Sequence, residues 1–132
     1  MSYVVEHTDE EWRRMLSPDA YRVLRKDGTE PAFNNEYWDN HDEGTYVCGG
    51  CGRPVFASAD KYDSGTGWPS FTGPIDEHAV ETATDTLLGT ERTEVRCARC
   101  GGHLGHVFDD GPEPEGTRYC MNSAALRFEP SE

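Results

Sequence analysis

Apolar positions form a helical stripe within Thr8 to Leu16 and a less regular one before Gly28, and fall into short, alternating or β-branched runs from Thr45 onward. Thr8 to Leu16 carries a stripe of Trp12, Met15 and Leu16. Thr8 followed by Glu11 forms a capping box, with acids in the first turn where the helix dipole favours them. Ser17-Pro18 ends that helix and opens another, serine as N-cap and proline at the first helical position. Ala20, Tyr21, Val23 and Leu24 supply its apolar positions, and Gly28 is its expected stop. Residues 29–44 are polar apart from three aromatics, and an irregular arm pinned by Phe33, Tyr37 and Trp38 is expected.

Strand-like runs follow: T-Y-V-C, R-P-V-F-A-S, H-A-V-E-T-A-T, R-T-E-V-R-C, H-V-F and A-A-L-R-F, separated by glycine-rich turns. In R-T-E-V-R-C, Thr93, Val95 and Cys97 alternate with Arg92, Glu94 and Arg96, the pattern of a strand with one wet face. In the last run Ala124, Leu126 and Phe128 share a face. G-P-E-P-E-G (111–116) excludes helix and reads as an exposed loop. Helices first and strands afterwards predict a mostly β, antiparallel α+β fold. At 132 residues the length suits one domain over 1–132, with a helical arm at 1–44 and a β core at 45–128.

Charge narrows the partners. Twelve basic residues, only two of them lysine, stand against 25 acids, a net charge of −13. Such a surface repels nucleic acid and anionic lipid. Dispersed acid with few lysines reads as adaptation to a salt-rich cytosol, where screening removes self-repulsion. The polar start and the lack of a long apolar run argue for a cytoplasmic chain without leader or membrane span.

Only 35% of the chain is hydrophobic, so a staple would help the core. Four of five cysteines provide one. Cys48-Gly-Gly-Cys51-Gly and Cys97-Ala-Arg-Cys100-Gly are two C-x-x-C turns, each followed by a glycine able to take positive φ. Together they make a tetrahedral four-sulfur set suited to one structural Zn²⁺. With 45 residues between them, the turns belong to separate hairpins clamped by the metal. A redox C-x-x-C would open a helix in a βαβ context, which is lacking. A closed four-sulfur site does no chemistry itself.

The fifth cysteine lies in R-Y-C-M-N (118–122). If extended, the segment puts Arg118, Cys120 and Asn122 on one face and Tyr119 and Met121 on the other. A guanidinium beside a thiol favours the reactive thiolate, and the Asn122 amide can donate to a substrate oxygen. By itself the segment fits equally a small buried apolar cysteine. His103 and His106 in G-G-H-L-G-H-V-F can supply a proton near neutral pH, and the complete sulfur set leaves neither needed as a metal ligand. Trp68, in Y-D-S-G-T-G-W-P-S-F, is either a recognition aromatic or the anchor of its loop.

C-G-G-C-G, Y-D-S-G-T-G-W-P-S-F, C-A-R-C-G-G-H-L-G-H-V-F-D-D-G-P and R-Y-C-M-N-S-A-A-L, in this order from Thr45 to Phe128, resemble the B-type peptide methionine sulfoxide reductases. N-N-E-Y-W-D-N in the arm is similar to that family as well. The resemblance implies two antiparallel sheets in a barrel-like core and thiol-dependent reduction of methionine-R-sulfoxide in oxidised proteins. It implies Cys120 as the nucleophile that becomes a sulfenic acid, with His103 or His106 as acid. Asn122 would orient the sulfoxide, Arg118 support the thiolate, and Trp68 with Phe71 and Phe108 hold the substrate. Thr66 stands where many members place a resolving cysteine, so an external thiol, thioredoxin-like or small, is the expected reductant. Two rivals make different predictions. A zinc-ribbon partner-binding module would keep its function without Cys120, and a cysteine hydrolase would need no added thiol.

Overall fold

The computed structural model describes residues 3–86 and 91–131. Residues 1 and 2, part of the start read for a leader, lie outside that range. Among the described residues two short helices precede nine strands: α1 (Asp9–Met15), α2 (Pro18–Lys26), β1 (Gly44–Cys48), β2 (Pro54–Ala57), β3 (Lys61–Tyr62), β4 (Ser70–Phe71), β5 (Val80–Asp85), β6 (Arg92–Cys97), β7 (His103–Phe108), β8 (Arg118–Met121) and β9 (Leu126–Pro130). No described helix is long and apolar enough to cross a membrane.

The helix starts follow the sequence. The Thr8 hydroxyl accepts from Glu11 N–H while the Glu11 carboxylate accepts from Thr8 N–H, a reciprocal cap of which the Thr8 half is worth about 1 kcal/mol. Ser17 caps α2 through Ala20 N–H, with Pro18 in its first turn. The stop differs: Asp27, not Gly28, takes the left-handed conformation, φ 56°. Aspartate tolerates that region better than most residues. Gly28 is needed for space instead, since a Cβ there would meet the Arg22 side chain and carbonyl at 2.9 Å.

The strands form two antiparallel sheets, β2-β1-β9 and β3-β4-β8-β7-β6-β5. The barrel is not closed: among the described residues β3 and β5 are the unpaired edges of the larger sheet. An aromatic cluster fills the core. Phe56 stacks on Phe71 at 4.5 Å, and Tyr46 meets Tyr37, Phe71 and Phe128. Helix α2 buries Val23 and Leu24 and packs on β7 and on the 3-10 turn Ser123–Ala125. Ala124, expected in the last strand, belongs to that turn. In the arm Tyr37 is buried as expected, but Phe33 is 55% exposed, its ring edge to face with Trp38 and lying over Gly67.

The two C-x-x-C turns have matching geometry. Gly52 and Gly101 both have positive φ, 81° and 74°, and each donates its N–H to the first cysteine's carbonyl at 2.8 Å. One turn joins β1 to β2 in the smaller sheet and the other joins β6 to β7 in the larger. Trp12 lies against them, with Arg25 over its ring.

Candidate active site

The larger sheet presents one chemical face. In β7–β8 the register sets His106 opposite Cys120 and Phe108 opposite Arg118, and directly opposed residues project to the same side. In β6–β7 Glu94 lies opposite His106. The supposedly wet face of β6, Arg92, Glu94 and Arg96, is therefore the face that carries the site. Glu94 is buried there and bonded to Arg96 and His103.

A strand bulge brings the two histidines together. Residues three apart in a regular strand point to opposite faces. Here Val95 pairs with Gly105 but Arg96 pairs with His103, so β7 carries one extra residue, Leu104. His103 thereby turns to the side of His106, their rings 5.3 Å apart and edge to face. Leu104 drops into the core.

Thr29, Thr66, Trp68, Arg92, Gly105 and His106 share a cavity of about 280 Å³ with Phe108, Arg118, Cys120, Met121 and Asn122. Of the residues singled out from sequence, Cys120, His106, Asn122, Arg118, Trp68 and Phe108 meet here. His103 does not line the cavity. It is 3% exposed, held by Glu94 Oε2 at 2.6 Å from its Nδ1, while its Nε2 has no hydrogen-bond partner among the described residues. Phe71, expected to bind substrate, is fully buried in the core. It pairs with Tyr119 while its neighbour Ser70 pairs with Cys120, so it projects from the sheet face opposite the thiol. A larger groove of about 710 Å³ beside α2 and β9 contains no cysteine or histidine.

The electrostatics revise one expectation. Burial pushes the Cys120 thiol above its ordinary value, and Arg118 and Thr66 only partly offset this. Arg118 is largely spent elsewhere: Asp110 accepts from its Nε and Nη2 at 2.9 and 3.2 Å, and its guanidinium lies 4.4 Å over the Phe108 ring. His106 is pushed down, by burial first, despite its Nε2–Asp85 contact at 2.8 Å. Both shifts favour the neutral form, thiol on Cys120 and imidazole on His106. Iodoacetamide alkylation of Cys120 should accordingly rise with a midpoint above that of free cysteine and be slower than free cysteine at pH 7. A midpoint below it, followed by mass spectrometry across pH, contradicts this assignment.

Asp85, Glu94 and Arg92 were missed from sequence as site residues. Arg92 donates to Asp85 Oδ2 at 3.1 Å, tying β6 to the His106 contact. Only the β5–β6–β7 pairing assembles these partners, and no local motif marks them.

The four remaining cysteines stand apart, their sulfurs within 4.8 Å of one another. Cys48–Cys100 and Cys51–Cys97 are 3.7 and 3.5 Å apart, close to the ~3.8 Å edge of a tetrahedron with 2.3 Å Zn–S bonds. The donor set fits a closed structural zinc site.

A SelR domain model matches residues 16–130. The chain is 53% identical over 129 residues to a peptide methionine sulfoxide reductase MsrB of Leptospira interrogans, covering 98% of each chain. It is 57% identical over 125 residues to the protein of that name from Thiobacillus denitrificans, covering 95% of each. The Acinetobacter baylyi protein of that name is 54% identical, covering 95% of this chain and 90% of its own. With a domain match over most of its length and more than half its residues shared with such relatives, the chain belongs to the SelR family, that of the B-type peptide methionine sulfoxide reductases.

Proposed function

We propose that this chain, acting as one catalytic domain, reduces methionine-R-sulfoxide residues in oxidised proteins to methionine, with Cys120 as nucleophile and His106 as proton carrier. Family membership supports the reaction. The residue assignment rests on one observation: the only cysteine outside the metal cluster opens into a cavity directly across a strand pair from a histidine.

The neutral pair gives a balanced route. Cys120 sulfur attacks the sulfoxide sulfur while His106 accepts the thiol proton and passes it to the sulfoxide oxygen, which is a poor leaving group until protonated. The products are the thioether and a sulfenic acid on Cys120: two electrons pass from the cysteine sulfur to the substrate sulfur, and the oxygen passes the other way, from substrate to cysteine. The Asn122 amide orients the sulfoxide oxygen. Trp68 and Phe108 hold the S-methyl group and so read the epimer, since each epimer needs its own enzyme. Arg118 steadies the sulfur as charge develops. His103, backed by Glu94, fixes the ring of His106. Zinc clamps the two sheets and takes no part in these steps.

Return to the thiol needs an external reductant. Thr66 lines the cavity where a resolving cysteine would stand, and the other four sulfurs belong to the metal set. One thiol, small or thioredoxin-like, converts the sulfenic acid to a mixed disulfide and water, and a second releases Cys120. After one turnover without reductant the intact mass should rise by one oxygen, and a loss of two hydrogens contradicts the scheme.

The acid surface supports a cytoplasmic, salt-adapted protein. A turnover assay with separate R and S peptide epimers and dithiothreitol, at low and molar salt, tests the whole reading. R should be consumed, S spared, and the rate should be higher in salt. Consumption of S alone, or turnover without thiol, overturns the reductase assignment. A maximum at low salt removes the salt adaptation.

A further inference from the structure

Glu30 is a carboxylate only 7% exposed, in the T-E-P segment after α2. Its two oxygens accept separately from the backbone N–H groups of Ser123 and Ala124, the latter at 2.8 Å. They thus grip the turn that starts immediately after Asn122. Burial pushes its pKa up and the two backbone donors pull against that. The backbone of the same residue makes two further bonds. Its N–H donates to Asn122 Oδ1 at 3.3 Å, and its carbonyl accepts the Trp68 indole N–H at 2.9 Å. One residue therefore reaches two cavity-lining side chains and the turn beyond Cys120.

These bonds fix more than location. Asn122 Nδ2 donates to the Leu104 carbonyl at 3.3 Å, so each end of the amide has its own backbone partner. A flipped amide would set N–H against N–H and oxygen against oxygen. The amide's sense is decided, and its second Nδ2 hydrogen is left for a bound oxygen.

We propose that Glu30 is a positioning residue for the sulfoxide reduction argued above, on which this inference rests. Its carboxylate holds the 123–125 turn, and through its backbone it sets the Asn122 amide and the Trp68 indole before substrate arrives. A carboxylate is required because both partners are donors. Glutamine would turn an NH₂ toward one of them, and aspartate is one methylene too short to reach both.

A double-mutant cycle tests this: wild type, Glu30→Gln, Asn122→Ala and the double variant. Rates are expressed per active site, counted as Cys120 sulfenic acid captured by dimedone in a single turnover, so unfolded chains do not enter. For Glu30→Gln, kcat should fall about 10- to 100-fold, the scale of a roughly 1 Å misplacement. KM and zinc content should change little. The double variant should be only about threefold or less below Asn122→Ala, because coupled residues do not add. Glu30→Asp, which keeps the charge, should fall between wild type and Glu30→Gln and serves in the cycle if the glutamine variant does not fold. Wild-type kcat in both Glu30 variants, or losses that multiply in full, overturns the proposal. Absence of thiol-dependent turnover in the wild type would instead remove the reductase reading, so the two failures are distinguishable.

Discussion

Replacing Cys120 with serine lowers turnover of a methionine-R-sulfoxide peptide by at least about a thousandfold, because a hydroxyl cannot take the two electrons' worth of oxidation that a sulfur takes. The variant should still bind one zinc per chain. Cys120 is separate from the metal cluster, and it lies on a strand fixed from both sides by β4 and β7, so the loss belongs to chemistry and not to folding. Steady-state rates with dithiothreitol and metal analysis of the same sample check both halves. A Cys120→Ser protein that still reduces the peptide would sink the nucleophile, and one that loses zinc would place Cys120 in the metal site.

The second large effect concerns the scaffold. Cys97 is fully buried at the end of β6 and Cys48 is fully buried at the end of β1. The sulfur cluster therefore joins two sheets that share no strand pairing among the described residues. Bound structural zinc contributes about 10 kcal/mol or more of apparent free energy, comparable with the whole stability of a typical domain, about 5–15 kcal/mol. Cys97→Ser, or chelation of the wild-type metal, should abolish the cooperative thermal transition at 25 °C and above, followed by near-ultraviolet circular dichroism. A zinc-free chain that melts at the wild-type temperature would show that the aromatic core alone suffices.

The features legible in the sequence are those in which a few neighbouring residues determine the geometry. Thr8 and Glu11 cap each other within one turn. Cys48 to Gly52 and Cys97 to Gly101 each build a knuckle from five residues. R-Y-C-M-N divides its faces by strand alternation alone, which put Cys120 beside Arg118 and Asn122 before any pairing was known. What was not legible depends on partners far along the chain. Phe71 sits three residues after Trp68 and looks like part of one aromatic recognition loop. Its pairing with Tyr119 sends it to the core. His103 and His106 have a spacing that should separate them, and only the extra residue at Leu104 brings them together. The thiol's upward shift is a burial effect, opposed by an arginine that Asp110 has already engaged. Asp110 lies eight positions away across a loop, and its motif does not say that it folds back on Arg118.

Strand β8 leaves almost no residue idle. Odd and even positions serve separate ends: Arg118 and Cys120 face the cavity, while Tyr119 and Met121 belong to the core, Met121 also contributing to the cavity wall. Moving this strand by a single position along β7 would exchange the two sets, seating a methionine where the nucleophile belongs and a thiol in the interior. Gly105 makes the native alignment possible, since its bare backbone lies so close to the Cys120 carbonyl that a Cβ there would strike it. The alignment that makes the protein reactive thus depends on a residue with no side chain at all.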